Sequence, residues 1–394
     1  MSNQVLRERV YPDAQRRSGA VGVMLTGIVT LVVVMGIGRF SLTPQIPMMI
    51  SDGYLSLSSA GILAAMNYIG YLAGAVHASR IRSHHAHYLK AGLLITVLVT
   101  LLSGMTTEFI LQCLFRFLAG LGGAWALIIV TAWTQLELAG RQAPKLSAAV
   151  FTGPGVGITL TGILAWIMSI WCLSSEQAWY VYGVVAVAAA AIVFPRLPTR
   201  LLSSSRNDKP EPLSRNLKYL LVAYTLAGFG YILPATFLSQ MAHSIFSVGN
   251  QAALFWPLFG LSAVTGVLLV IFSGTRASVK PALAVAMGGQ GVGVACVVFS
   301  PGATGLLIST LLTGLGFLSI MQLSMRLARE VSTGSVARNV AMLTSGYATG
   351  QLVGPLVSSV SVTLFSSLEP ALLLAAAGLI TGGVIVMTRI RTSG

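Results

Sequence analysis

Charge is what this sequence has least of. Lys, Arg, Asp and Glu together make up 9% of its 394 residues, against about 25% in an ordinary soluble protein. Only ten residues are acidic. A chain this poor in charge cannot dress the surface of a water-soluble enzyme, and it lacks the polarity of a disordered segment. Cysteine is also scarce. Cys113, Cys172 and Cys296 are widely spaced and odd in number, so neither a disulfide framework nor a metal site follows from them. No Gly-Lys-Ser/Thr string, His-Glu-x-x-His or Gly-x-Ser-x-Gly occurs, which removes a P-loop ATPase and the common hydrolase sites. His84, His85 and His87 form a short cluster beside Arg80 and Lys90, read as a solvated basic loop. The sequence calls for no cofactor, no metal and no covalent chemistry, so it is not read as an enzyme.

Apolar residues are what it has most of: 55% of the chain, with a mean hydropathy of +0.82. A helix crosses the hydrocarbon core of a bilayer in about 20 residues. Apolar runs of about that length or longer lie at 20–48, 57–79, 88–106, 108–138, 146–172 and 178–194. A second set lies at 218–243, 251–273, 281–299, 303–328, 337–365 and 370–389. They are too long and too evenly apolar for alternating barrel strands. The expected fold is therefore an all-α integral membrane protein of twelve spans.

The basic residues orient it. Lys and Arg collect in cytoplasmic loops. With twelve spans, 22 of the 24 basic residues fall on one side, in the N-terminal tail, alternate loops, the 195–218 connection and the C-terminus. The other loops carry Asp52, Glu108, Glu176 and Glu369 instead. Both termini are expected in the cytoplasm of a bacterial inner membrane. The net charge of +14 is then a topology signal rather than a nucleic-acid footprint. The first apolar run follows a basic segment, as in a secretory signal, yet its length makes it a retained first span.

The stretch 195–217, rich in Pro, Ser and charge, separates two sets of six spans. This divides the chain into a tail at 1–19, a bundle at 20–194, a linker, a bundle at 218–390 and a tail at 391–394. The two bundles repeat one another. Gly36-Ile37-Gly38-Arg39-Phe40 faces Gly228-Phe229-Gly230-Tyr231-Ile232 at an offset of 192. Leu118-Ala119-Gly120-Leu121-Gly122 faces Leu312-Thr313-Gly314-Leu315-Gly316 at an offset of 194. Glu137 faces Glu330, and Gly153 and Gly157 face Gly346 and Gly350, all at 193. Two parallel six-helix halves with a site between them at mid-membrane is the plan of many secondary transporters.

At these residues the chain resembles the major facilitator superfamily over essentially its whole length. Arg116-Phe117-Leu118-Ala119-Gly120-Leu121-Gly122-Gly123-Ala124 is similar to that superfamily's helix-4 motif, with Ala119 where a Gln is usual. Gly153-Pro154-Gly155-Val156-Gly157 partly resembles its helix-5 antiporter motif, with Ala149 where a Gly is usual. Gly74 and Arg80-Ile81-Arg82 resemble a degraded form of its basic gating loop. The string Gly-Ile-Gly-Arg-Phe-x-x-Thr-Pro at 36–44 is similar to the bacterial YbfB/YjiJ group. The resemblance implies two pseudo-symmetric bundles, with spans 1, 4, 7 and 10 lining a central cavity, and no agreed substrate.

Two basic residues remain, Arg39 in span 1 and Arg116 in span 4. Arg39 lies eight residues before Pro47, and Arg116 eight residues after Glu108. Eight residues rise about 12 Å, so the two share a depth. An Arg at mid-bilayer costs about 2.5–3.5 kcal/mol on insertion scales and faces a cavity or a partner. No Asp or Glu shares that depth. The expectation is a pair of cations sharing one cavity and gripping a carboxylate or phosphate, against an alternative in which each bonds helix carbonyls or snorkels to the outer interface. Asn67, Tyr231, Tyr347 and Gln351 are the next candidates for a substrate site, with interhelical bonding as the plain alternative. Glu137 and Glu330 are read as gate residues that pair with Arg80, Arg82, Arg276 or Arg338 when the cytoplasmic side closes.

The resulting expectation is secondary active transport of a small organic solute by alternating access, leaning to export or exchange of an anionic or polar molecule. An inside-negative potential opposes anion entry by about 2.3 kcal/mol per charge per 100 mV and favours exit equally. Proton coupling would have His77 and the gate carboxylates to draw on. A proton-coupled drug antiporter is the rival within transporters, and a membrane receptor or scaffold the rival outside them. The expected partners are the substrate and bilayer lipid, with no nucleic acid, and a monomer is the default over a homodimer.

Overall fold

The structure, a computed structural model, describes residues 13–81, 83–199, 213–246, 250–273, 278–331 and 336–391. Twelve of the described helices are long and apolar enough to cross a membrane. In chain order they are α1 (Gly19–Ser51), α2 (Leu57–Arg80), α3 (His85–Leu102), α4 (Phe109–Gly140), α5 (Lys145–Ile170) and α6 (Ser175–Arg196). There follow α7 (Arg215–Ile245), α8 (Ala252–Ser273), α9 (Val279–Phe299), α10 (Ala303–Val331), α11 (Met342–Phe365) and α12 (Glu369–Arg389). Most of the linker lies outside the described residues. Large apolar side chains such as Ile110, Phe272 and Phe299 point outward, as a lipid-facing surface requires.

Local chemistry sets several boundaries. Ser56 and Ser59 form a reciprocal capping box at the start of α2, and Ser174 with Gln177 does the same for α6. Each satisfies N–H groups that a helix start leaves unpaired. Helix α1 is not uniform: Val32–Phe40 winds as a π-helix, and all nine of its residues are buried. Gly36 and Gly38 weaken helical preference there, and Pro44 removes the N–H that would have bonded the Phe40 carbonyl. The sequence pattern suggests a continuous α-helix over this stretch. The wider turn instead carries Arg39, in keeping with the frequent placement of π-segments at functional sites.

The repeat seen in the sequence becomes a repeat of helix crossings. In the first half α4 packs on α2 and α3, and α5 on α1; in the second, α10 packs on α8 and α9, and α11 on α7. The matched glycines seat the same crossings. Gly36 of α1 lies against Gly157 of α5, and its mate Gly228 of α7 lies against Tyr347 of α11. Gly120 meets the Asn67 backbone of α2, while Gly314 meets Phe259 of α8. Small residues let helix backbones approach closely where lipid supplies no hydrophobic drive for association. Between halves, α2 packs on α11, α5 on α8 and α1 on α7.

A Cβ added at Gly157 would sit 2.5 Å from the Gly36 Cα, whereas one at Gly288 would meet nothing within 4 Å. Gly157→Ala should therefore cost about 1–3 kcal/mol of stability through overpacking. Gly288→Ala should be neutral or slightly stabilising, since Ala suits a helix better. Thermal unfolding of the two purified variants in the same detergent checks the contrast.

Candidate functional site

Arg39 leaves the π-segment of α1 and points between the halves. It is 7% exposed. Its Nη2 donates to Gln351 Oε1 of α11 at 2.6 Å, and Gln351 Nε2 donates to the Tyr231 hydroxyl of α7 at 2.6 Å. The guanidinium carbon lies 4.6 Å from the ring centres of both Tyr68 and Tyr71 of α2, and 5.4 Å from that of Phe40. A desolvated cation–π contact contributes about 2 kcal/mol, and a hydrogen bond to a charged group about 1.5–3 kcal/mol. Together these offset an insertion cost of a few kcal/mol. None of them neutralises the charge. Among the described spans, Glu137, Glu176, Glu330 and Glu369 all lie within a turn of a helix end.

Tyr231 continues into a ladder of rings on the second half. It stacks on Phe317 at 4.5 Å and on Tyr347 at 5.6 Å, and Tyr347 stacks on Tyr224 at 4.4 Å. These rings fix the orientation of the Tyr231 hydroxyl and, through it, of Gln351. Four of the residues singled out from the sequence are thus brought together here: Arg39, Tyr231, Gln351 and Tyr347. Asn67 borders the same region. Its Nδ2 donates to the Arg116 backbone carbonyl at 3.0 Å, and its Oδ1 is buried without a partner. A small cavity of about 10 Å³ is lined by Arg39, Thr43, Asn67, Tyr68 and Thr236, among others.

Arg116 departs from the shared cavity expected for the two cations. It is fully buried inside the first half. Nη1 donates to the Gly38 carbonyl of α1 at 3.3 Å and Nη2 to Ser103 Oγ at the end of α3 at 3.1 Å. Its guanidinium lies 4.5 Å from the Trp179 ring centre of α6. Protein oxygens and an indole face hold it, and it ties four helices of the first half together. It shares no bonded partner with Arg39.

The carboxylates read as gate residues have local partners in this conformation. Glu137 pairs with Arg141 at 2.6 Å and Glu330 with Arg326 at 3.6 Å, each one turn away on its own helix. Arg80 is exposed at the end of α2. Arg82 and Arg276 lie outside the described residues, as does the Arg338 side chain. The halves meet at the gate end through Gln322 Nε2, which donates to the Ala148 carbonyl at 3.4 Å, and at the opposite end through further neutral groups. Ser359 Oγ donates to the Ser58 carbonyl at 2.9 Å, and Ser58 Oγ lies 3.3 Å from Thr363 Oγ1. Thr43 Oγ1 donates to the Ala235 carbonyl at 3.0 Å, and Gly162 packs on Pro257. Gly61 nestles against Pro355 and Ser359.

Other polar candidates have structural roles. Gln112 donates to the Ser103 and Thr106 carbonyls, and Gln290 to that of Thr313. His77 and Trp125 form an aromatic cluster with Tyr88, remote from Arg39 in sequence and in partners. Tyr68, Tyr71 and Phe317 do not stand out in the sequence, and Thr43 enters it only as part of the string at 36–44. The available signal is the i, i+3 spacing of Tyr68 and Tyr71 beside Asn67, which sets both rings on one helix face.

Arg116→Ala should lower stability by at least about 1.5–3 kcal/mol, because it removes charge-assisted bonds and leaves buried acceptors unpaired. Glu137→Gln should change it by no more than about 1 kcal/mol, since exposed ion pairs contribute little. Denaturation followed by tryptophan fluorescence separates the two. Wild-type stability in Arg116→Ala would contradict a scaffold role.

Comparison with known proteins places this geometry. Two crystal structures share the fold. One is a point mutant of the nucleoside transporter NupG, with a TM-score of 0.73, 11% identity, and coverage of 94% of this chain and 100% of that one. The other is a bacterial homolog of the human lysosomal transporter Spinster, in an inward-facing and unoccupied conformation. Its TM-score is 0.67 and its identity 14%, and the match covers 94% of this chain and 95% of that one. No curated protein sequence matches the chain. The family model described as "Uncharacterised MFS-type transporter YbfB" matches residues 31–387. Twelve spans, two repeated halves and that match together show that the chain belongs to the YbfB-type family of MFS transporters and is a multi-pass membrane protein.

Proposed function

We propose that this secondary transporter carries a small organic anion across the bacterial inner membrane by alternating access, in the direction of export or exchange. The observation that supports the reading is Arg39: a buried cation between the halves whose partners are all neutral. At an effective dielectric near 20, a unit negative charge about 4 Å away gains about 4 kcal/mol. The groups around the guanidinium can accommodate a carboxylate or phosphate oxygen in place of the Gln351 amide. Tyr231 and Tyr347 would then border the cargo from the second half.

The hydrogen bond from Arg39 to Gln351 also joins the two halves at mid-membrane. A cargo oxygen that takes its place converts a direct link between halves into one made through the cargo. That substitution supplies differential binding between conformations, which a ligand needs in order to shift an equilibrium. With the basic end taken as cytoplasmic by the distribution of Lys and Arg, the Ser58–Ser359 contact lies at the outer end. The reading needs no titrating group in the pathway. An outward anion flux is favoured by an inside-negative potential by about 2.3 kcal/mol per charge per 100 mV.

Counterflow in proteoliposomes tests this. Vesicles preloaded with unlabelled small carboxylates should accumulate the labelled species, and Arg39→Gln should lower the initial rate at least about tenfold. Arg39→Lys should retain part of it, keeping the charge without the planar fork. Uptake of cations driven by a proton gradient, unchanged in Arg39→Gln, would contradict the proposal.

A further inference from the structure

The cavity beside Arg39 carries more chemical information than a charge. Arg39 Nε is a buried donor with no partner, and Asn67 Oδ1 is a buried acceptor with no partner. Both residues line the same small cavity, and they are 7% and 2% exposed. The orientation of the Asn67 amide follows from its neighbour. The Arg116 carbonyl can only accept, so the amide nitrogen must face it and the amide oxygen is left over. Unpaired polar atoms at such burial cost about 1–3 kcal/mol each and call for an explanation.

The remaining polar groups on the wall narrow the choice. Thr43 and Thr236 direct their hydroxyl hydrogens to the Ala235 and Ile232 carbonyls, so toward the cavity they offer lone pairs only. The Tyr68 hydroxyl, also on the wall, is engaged by Thr236 and Arg39, so the unpaired groups facing the cavity are one charged donor, Arg39 Nε, and one acceptor, Asn67 Oδ1. A plain carboxylate is acceptor-only. It would satisfy Arg39 and leave Asn67 unpaired. An ammonium group would satisfy Asn67 but sit beside the guanidinium with like charge. A neutral hydroxyl carried on the same small molecule as the carboxylate satisfies both. A volume of about 10 Å³ suits one group of about a water's size.

Resting on the anion reading above, we infer that the cavity bounded by Arg39, Asn67, Thr43 and Thr236 is a hydroxyl subsite, and that the cargo class is a hydroxylated carboxylate. Asn67 is then the residue that discriminates hydroxy acids from their deoxy counterparts. Sites built to bond a substrate hydroxyl reject the analogue that lacks it, because the site's own polar atom is stranded.

Calorimetric titration of the purified full-length protein with matched pairs tests the inference: glycolate against acetate, lactate against propionate, malate against succinate. In the wild type the hydroxylated member of at least one pair should bind at least about tenfold more tightly. In Asn67→Ala that ratio should fall to about twofold, while Arg39→Gln should weaken both members together. The wild-type ratio stands on its own if Asn67→Ala does not fold. Carboxylate binding with no hydroxyl preference would overturn the subsite, mark the cavity as a place for a single water, and leave the anion reading intact. Failure of every carboxylate to bind would overturn both.

Discussion

A guanidinium held between two halves of a membrane protein by neutral groups alone is the constraint on which this structure turns. Tyrosine faces on α2 and an amide on α11 make Arg39 tolerable in the bilayer without cancelling its charge. A carboxylate from the protein at the same depth would have neutralised it locally, as a structural ion pair. None is present in the interior of the described spans. On the proposed function, that surplus charge is what the cargo meets, at a place where the two halves join.

The rest of the fold holds that residue in position. Arg116 is the clearest case: its guanidinium grips the Gly38 carbonyl, one residue from Arg39, and ties it to α3 and α6. Asn67 fastens α2 to the backbone of Arg116 itself. Glycine-seated crossings bring α1 and α5, and α2 and α4, close enough for those bonds to form. On the other side a stack of aromatic rings sets Tyr231 and so Gln351. The first half thus presents a cation to an amide and a phenol of the second. The contacts between the halves around Ser58 and Thr43 use hydroxyls and glycines, without ion pairs, so separating the halves there carries no charge penalty.

Much of this is legible in the sequence because bilayer physics leaves few options. Run length and the one-sided distribution of Lys and Arg yield twelve spans, and the observed helices begin and end close to the expected places. The repeat offsets point to paired crossings, and the same glycines make them. Rotation about the helix axis is not legible. Counting residues from a helix end gives depth, but each residue also turns about 100°, so Arg39 and Arg116 share a level without sharing a cavity. Local helical pairs are equally hard to weigh from sequence: Glu137 and Glu330 each pair here with an Arg four residues away. The tyrosines around Arg39 are hidden because aromatic residues in an apolar run look like packing, and only the fold shows a cation over their faces. The π-segment follows from two glycines and a proline acting together, which no periodicity reveals.

The most direct measurement compares charge at constant shape. Isosteric carboxylates and carboxamides, such as lactate and lactamide, differ at one atom and carry opposite instructions for a site built on an uncompensated cation. Equilibrium binding to the purified protein should favour the carboxylate by at least about tenfold, with the preference weakening only slightly at raised ionic strength because the charge is buried. Equal affinity for the two, or tighter binding of the amide, would contradict the account.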